Sequence, residues 1–154
     1  MGDGYDFVCK KCKKEYSVMH GIGMMYPTIY QETIEDAKNG KYGSEWQELI
    51  SSSKYIAINA EREVYICSSC GKWKTELDLS LYRPKDEDAI RTKQFGIKTV
   101  EEWGYVPYVF GQDFQAKCDH CGKRMHKANE EELSKLSCPY CGTENTSEGL
   151  IMWD

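Results

Sequence analysis

Between Trp73 and Leu81 apolar and polar positions alternate, with Trp73, Thr75, Leu77, Leu79 and Leu81 on one side and Lys74, Glu76, Asp78 and Ser80 on the other. A period of two predicts one half-buried β-strand. Upstream the period changes. Tyr30, Ile34 and Ala37 recur at helical spacing, so 28–39 reads as a helix stopped by Gly40. Ser44, with Gln47 three residues on, reads as a capping box that opens a second helix; Trp46, Leu49 and Ile50 form its apolar stripe. Shorter β-prone runs occupy 5–8, 15–18, 63–66 and 150–153. Asn129 with Glu132 predicts a third helix running to Leu136, with three acids at its positive end. The segment 99–103 reads as one helical turn, 105–110 as an aromatic core strand or, second, a partner surface, and 83–91 as a charged linker or solvated turn. Met24, Met25 and Tyr26 read as core packing rather than a ligand face.

The strands frame the chemistry. All eight cysteines fall into four Cys-x-x-Cys pairs, Cys9/Cys12, Cys67/Cys70, Cys118/Cys121 and Cys138/Cys141. Two thiolates three residues apart on a tight turn aim at one point, and a second such turn completes a tetrahedron of four sulfurs. Gly71, Gly122 and Gly142 follow the second cysteine in three pairs, where a positive φ is needed; Lys13 stands there in the first, which predicts a different or more strained turn. The expected ligands are therefore all eight cysteines, on two ions. The gap between the last two pairs is 16 residues and that between the first two is 54. Sequential pairing is the simplest assignment: Cys9, Cys12, Cys67 and Cys70 on one ion, Cys118, Cys121, Cys138 and Cys141 on the other.

Other uses of the sulfurs fit less well. The opening Met-Gly-Asp-Gly-Tyr-Asp has neither a basic nor an apolar stretch of a secretory signal, which predicts a cytoplasmic chain with reduced thiols rather than disulfides. Cys138-Pro-Tyr-Cys141 matches a glutaredoxin active-site tetrapeptide, but that motif needs a long helix after it, and only 13 residues follow. No apolar run of 18 residues predicts a membrane span. Four sulfurs per ion leave no open coordination position, and no nucleophile–base pair or paired carboxylates stand out, so no enzymatic activity is expected. Of the three histidines, His120 lies inside a knuckle, His126 could replace a cysteine in a mixed site, and His20 reads as a hydrogen-bonded turn residue.

The formal charge is −5, and two zinc tetrathiolates at −2 each would bring it to −9. Such a chain binds phosphate backbones poorly. Yet Lys10, Lys11, Lys13, Lys14, Lys72, Lys74, Lys117, Lys123, Arg124 and Lys127 crowd the knuckles. They read first as cations offsetting the anionic metal clusters and second as a nucleic-acid patch.

The four knuckles, with Cys138-Pro-x-Cys-Gly as a closing turn, resemble the zinc-ribbon and rubredoxin-like superfamily. The resemblance implies a small α+β protein with two ribbon lobes. The first spans 1–82 with a helical insertion at about 21–58, 83–111 connects, and the second spans 112–154. It implies two zinc ions, with iron the alternative, since thiolate tetrahedra hold both. It also implies a rigid platform for contact, most simply a non-enzymatic protein-interaction module. A nucleic-acid-binding ribbon, an iron electron carrier and a thiol redox sensor are the other functions.

Overall fold

The structure, a computed structural model, describes residues 2–53, 55–86, 100, 104–108 and 116–153. In chain order the elements are β1 Gly2–Val8, β2 Glu15–His20, α1 Tyr26–Lys38, α2 Ser44–Ser52, β3 Ala57–Ile58 and β4 Arg62–Ile66. They continue with β5 Trp73–Leu77, β6 Leu81–Pro84, β7 Tyr105–Pro107, β8 His126–Lys127, α3 Glu130–Leu133 and β9 Gly149–Trp153. This is an α+β chain with three small sheets, ordered β2-β1-β9, β5-β4-β8 and β3-β6-β7, and every strand pair in them is antiparallel.

The chain divides into two compact units, and both are discontinuous. The first comprises Met1–Gly23, Arg62–Leu77 and Gln115–Asp154; the second comprises Met24–Glu61 and Asp78–Phe114. The boundaries expected at 82/83 and 111/112 are not where these units divide. The segment 83–111 is more than a connector, because Arg83 and Pro84 in β6 pair with Val106 and Tyr105 in β7. The helical segment likewise shares its unit with β6 and β7 instead of forming a closed insertion.

The first unit repeats one arrangement. β1 and β2 form a hairpin whose turn carries Cys9 and Cys12, and β9 adds to the other side of β1. β4 and β5 form a hairpin whose turn carries Cys67 and Cys70, and β8 adds to the other side of β4. The apolar faces meet in a core of Phe7, Tyr16, Val18, Val64, Leu133 and Leu136, joined by Cys9 and Cys138. Phe7 and Tyr16 stack with ring centroids 4.7 Å apart, an offset aromatic pair directly opposite each other in the β1–β2 register.

In the second unit α1 buries Tyr26, Tyr30, Thr33 and Ala37, and α2 buries Trp46 and Ile50. The Trp46 indole N–H donates to the Leu79 carbonyl at 2.7 Å. The alternation from Trp73 to Leu81 is two strands, not one. Asp78 lies between them, 2 % exposed, and its carboxylate accepts from the Ser80 N–H at 3.1 Å and from the Asn59 side-chain amide at 2.9 Å. The first of these bonds is the local side chain-to-backbone contact that turns a chain, so the strand ends while the apolar rhythm continues.

Other expectations change in detail. α1 begins at Tyr26, with Pro27 in its first turn where the missing N–H costs nothing. Ser44 is the first helical residue of α2, its cap is Gly43, and no side chain caps it. Gln47, expected to close a capping box, donates to the Lys38 carbonyl at 2.9 Å instead. The Asn129–Glu132 box does form, with both reciprocal bonds present, although α3 ends at Leu133. Met24 and Met25, expected in the core, are 70 % and 61 % exposed, whereas Tyr26 is buried. The expected turn at 99–103 and the end of the aromatic run lie largely outside the described residues.

Candidate metal centres

Four knuckles share one backbone geometry. In each, the N–H of the residue after the second cysteine donates to the first cysteine's carbonyl. These bonds run from Lys13 to Cys9 at 2.9 Å, and from Gly71 to Cys67, Gly122 to Cys118 and Gly142 to Cys138 at 2.8 Å. In each, the first cysteine's N–H reaches the carbonyl five residues on, at Lys14, Lys72, Lys123 and Thr143. The position after the second cysteine has φ of 74°, 70° and 76° at Gly71, Gly122 and Gly142, and 63° at Lys13. The first turn therefore matches the others, and the strain is confined to one lysine. Nothing lies within 4 Å of where a Cβ would stand on the three glycines, so a side chain there meets no steric wall. Only backbone conformation opposes it, at about 1–2 kcal/mol. Lys13→Gly is expected to raise the stability of the metal-loaded protein by about 0.5–1 kcal/mol, read as a higher urea midpoint at unchanged slope.

The knuckles do not pair in sequence order. One group of four is Cys9, Cys12, Cys138 and Cys141; the other is Cys67, Cys70, Cys118 and Cys121. The first and last knuckles thus enclose the middle two, which corrects the sequential assignment. The reason is strand pairing: β9 returns the C-terminal segment to β1, and β8 returns the third knuckle's segment to β4. Within each group the sulfurs lie within 4.8 Å of one another. Cys9 and Cys141 Sγ are 3.5 Å apart and Cys12 and Cys138 Sγ 3.6 Å; Cys67 and Cys121 are 3.5 Å apart and Cys70 and Cys118 3.6 Å. A tetrahedron of sulfurs at zinc–thiolate distance has edges of about 3.8 Å. All eight cysteines are free, so the donor set is thiol throughout and its spacing fits a tetrahedral ion.

The thiols are not equivalent as acids. The Cys12 N–H, at 3.4 Å from the Cys9 sulfur, is the main influence pulling the Cys9 thiol down to about 6; the Cys70 N–H does the same for Cys67, also to about 6. The Cys121 N–H lowers Cys118, and the Thr143 hydroxyl, 3.3 Å from the sulfur, lowers Cys141. At Cys12 and Cys70 the N–H groups of Lys14 and Lys72 pull down, but burial and the neighbouring sulfurs outweigh them and push both up to about 11. In each group two thiols that ionise easily thus stand beside at least one that ionises with difficulty, which is how four close sulfurs behave before a cation offsets their charge.

The histidines lie outside both groups. His126 is held by Ser68 at 3.0 Å and Glu132 at 2.9 Å, and His20 contacts Glu63 at 3.1 Å. His120 is exposed in the third knuckle. Among the described residues, the two cysteine groups are the sets of side chains placed to hold a metal ion.

Sequence reasoning missed Asn145 and Tyr16. Asn145 is 3 % exposed; its Oδ1 accepts from the Lys10 N–H at 3.0 Å, and its Nδ2 donates to the Thr143 carbonyl at 2.8 Å and the Tyr16 hydroxyl at 3.3 Å. That hydroxyl donates in turn to the Leu136 carbonyl at 2.7 Å. The first and fourth knuckles are tied to each other through these two side chains. Nothing local in Asn145-Thr-Ser signals this role, since Lys10 and Tyr16, the partners that make the tie, are more than 100 residues away.

The knuckle cations are mostly exposed, among them Lys10, Lys11, Lys13, Lys72, Lys123 and Arg124. Lys74 pairs with Glu76 at 2.8 Å and Asp119 at 3.0 Å, and Lys14 lies 4.6 Å from the centre of the Tyr140 ring. No helix among the described residues is long and apolar enough to cross a membrane. No protein-family model matches the chain, and neither the curated proteins nor the solved structures searched give a match.

Proposed function

We propose that the chain is a zinc-binding protein of zinc-ribbon type, with two structural four-cysteine sites, that works as a non-enzymatic module for contact with another protein. One observation carries the reading: two sets of four free thiols at tetrahedral spacing, each built from two matching knuckles. Four thiolates fill the coordination of zinc and leave no place for a reacting water. Folding free energy, rather than catalysis, is what such an ion supplies. Elemental analysis of protein purified without added metal is expected to give two zinc ions per chain and no visible colour. Absorbance of ferric thiolate would replace zinc with iron and make the chain an electron carrier; a defined turnover by the pure protein would end the non-enzymatic reading.

Charge distribution favours a second reading, nucleic-acid contact. The residues of the metal-bearing unit sum to zero formal charge, twelve cations against twelve anions, and the other unit carries the entire −5. The negative balance of the whole chain is therefore not that of the knuckle surface, although two zinc tetrathiolates would return −4 to it. This reading expects a gel shift with single-stranded RNA or DNA at low salt that fades steeply as salt rises. No shift at low salt excludes it.

A further inference from the structure

The two sites are built alike at the knuckles and differently around them. At the site of Cys9, Cys12, Cys138 and Cys141, one sulfur-bearing residue, Cys141, is exposed, and Cys9 and Cys138 belong to the larger core with Phe7, Tyr16 and Leu136. Cys12 packs against the same core. At the site of Cys67, Cys70, Cys118 and Cys121, both Cys70 and Cys121 are exposed, and the buried pair sits in a smaller cluster with Tyr65, Ala116 and Met125.

The ties between knuckles differ in the same direction. The first site's knuckles are joined by the buried Asn145 and Tyr16 bonds. The second site's knuckles are joined at the surface, by Ser68 to His126 and by Lys74 to Asp119, whose carboxylate is 85 % exposed. Exposed polar ties of this kind exchange with water and contribute little. Strand pairing follows suit. The chain beyond the fourth knuckle pairs with β1 from Gly149 to Trp153, whereas the chain beyond the third pairs with β4 at His126 and Lys127, with one more bond from the Ala128 N–H to the Val64 carbonyl.

We propose that the two sites divide the work: the Cys9/Cys12/Cys138/Cys141 site keeps its ion as a permanent staple, and the Cys67/Cys70/Cys118/Cys121 site is the exchangeable one, giving up its ion first. This rests on the metal-binding reading above. Ligand exchange at a tetrathiolate begins when one sulfur leaves the ion and an incoming donor takes its place. That step is easier where two sulfurs face water and the knuckles are held by surface contacts. It is harder where the knuckles stay in register without help from the ion. Outer-shell partners of metal ligands commonly contribute 10–100-fold to affinity. Loss of the exchangeable ion would free the knuckle at 118–121 and its short pairing with β4, and leave sheet β2-β1-β9 intact.

The full zinc-loaded chain is challenged with a colorimetric zinc chelator, and the thiols exposed at successive times are alkylated and located by peptide mass spectrometry. Two release phases of equal amplitude, at least tenfold apart in rate, are expected. Cys67, Cys70, Cys118 and Cys121 are alkylated in the fast phase and the other four in the slow one. Asn145→Ala, which removes the buried tie without touching a ligand, is expected to speed the slow phase about tenfold and leave the fast one unchanged. Two ions leaving at one rate, or the outer four cysteines reacting first, overturns the division while leaving the metal-binding reading in place. A protein that neither carries nor takes up zinc overturns both.

Discussion

Stripping both ions with a strong chelator at neutral pH is expected to unfold the metal-bearing unit. Structural zinc in small four-ligand sites supplies roughly 10–16 kcal/mol of apparent folding free energy per ion. The core it supports is small: Phe7, Tyr16, Val18, Val64, Leu133 and Leu136 are its largest buried apolar members apart from the cysteines. Without a cation, burial and the neighbouring sulfurs also push the Cys12 and Cys70 thiols up, which opposes a full set of thiolates. The near-ultraviolet signal of the Phe7–Tyr16 stack and the fluorescence of Trp73 are the readouts, and amide exchange at Val64 is a third. A chain whose spectrum survives complete removal of metal would show that the ions are passengers.

Acid should do what the chelator does, and the direction can be worked through. Cys9 and Cys67 have folded-state pKa values lowered to about 6, so their ionised forms stabilise the folded chain above the ordinary thiol range, and that contribution is lost as pH falls through about 6. Cys12 and Cys70, raised to about 11, act the other way: their neutral form favours the metal-free fold below the ordinary thiol range and is lost as pH rises through about 11. A bound ion holds all four as thiolates, and protons compete with it. Metal content is therefore expected to be full at pH 7.5 and to fall in the range below about pH 6, with refilling on neutralisation.

Trp46→Ala is expected to destabilise the second unit by about 3–5 kcal/mol. In the sequence Trp46 reads as one position in the apolar stripe of a helix. Its indole is 7 % exposed and its N–H is committed to the Leu79 carbonyl. Truncation removes that packing and leaves a buried carbonyl short of a donor, so the loss should exceed the transfer term alone. Urea unfolding followed by far-ultraviolet ellipticity measures it; a midpoint unchanged from wild type would contradict the packing. Any partner contact is better sought at Met24 and Met25, which are exposed, than at Trp46.

What could be read in the sequence was what depends on near neighbours. Cys-x-x-Cys fixes two sulfurs on one turn, so all eight metal-ligand candidates were legible, and so was the Asn129–Glu132 box, whose two halves lie three residues apart. Pairing the knuckles was not legible, because spacing along the chain says little about which turn faces which. β9 and β8 decide it, through registers that link Tyr5 to Leu150 and Tyr65 to Lys127. The same limit explains Trp73–Leu81. Alternation is a property of each residue and its neighbours, whereas the buried Asp78 that turns the chain through the Ser80 N–H has its second partner in Asn59, 19 positions upstream. Lys13 stands where the other three turns carry glycine, yet it takes up the same positive φ, so the turn keeps its shape.

The enclosing order of the knuckles has a consequence for synthesis. A ribosome releases the chain from its amino end, and no tetrathiolate can be completed until Cys121 has emerged. At that moment only the inner set is whole, while Cys9 and Cys12 wait for Cys141. Ions held by these groups would therefore enter a growing polypeptide from the inside outward, and a message truncated between these points would yield a protein with one complete set of four sulfurs and one incomplete set.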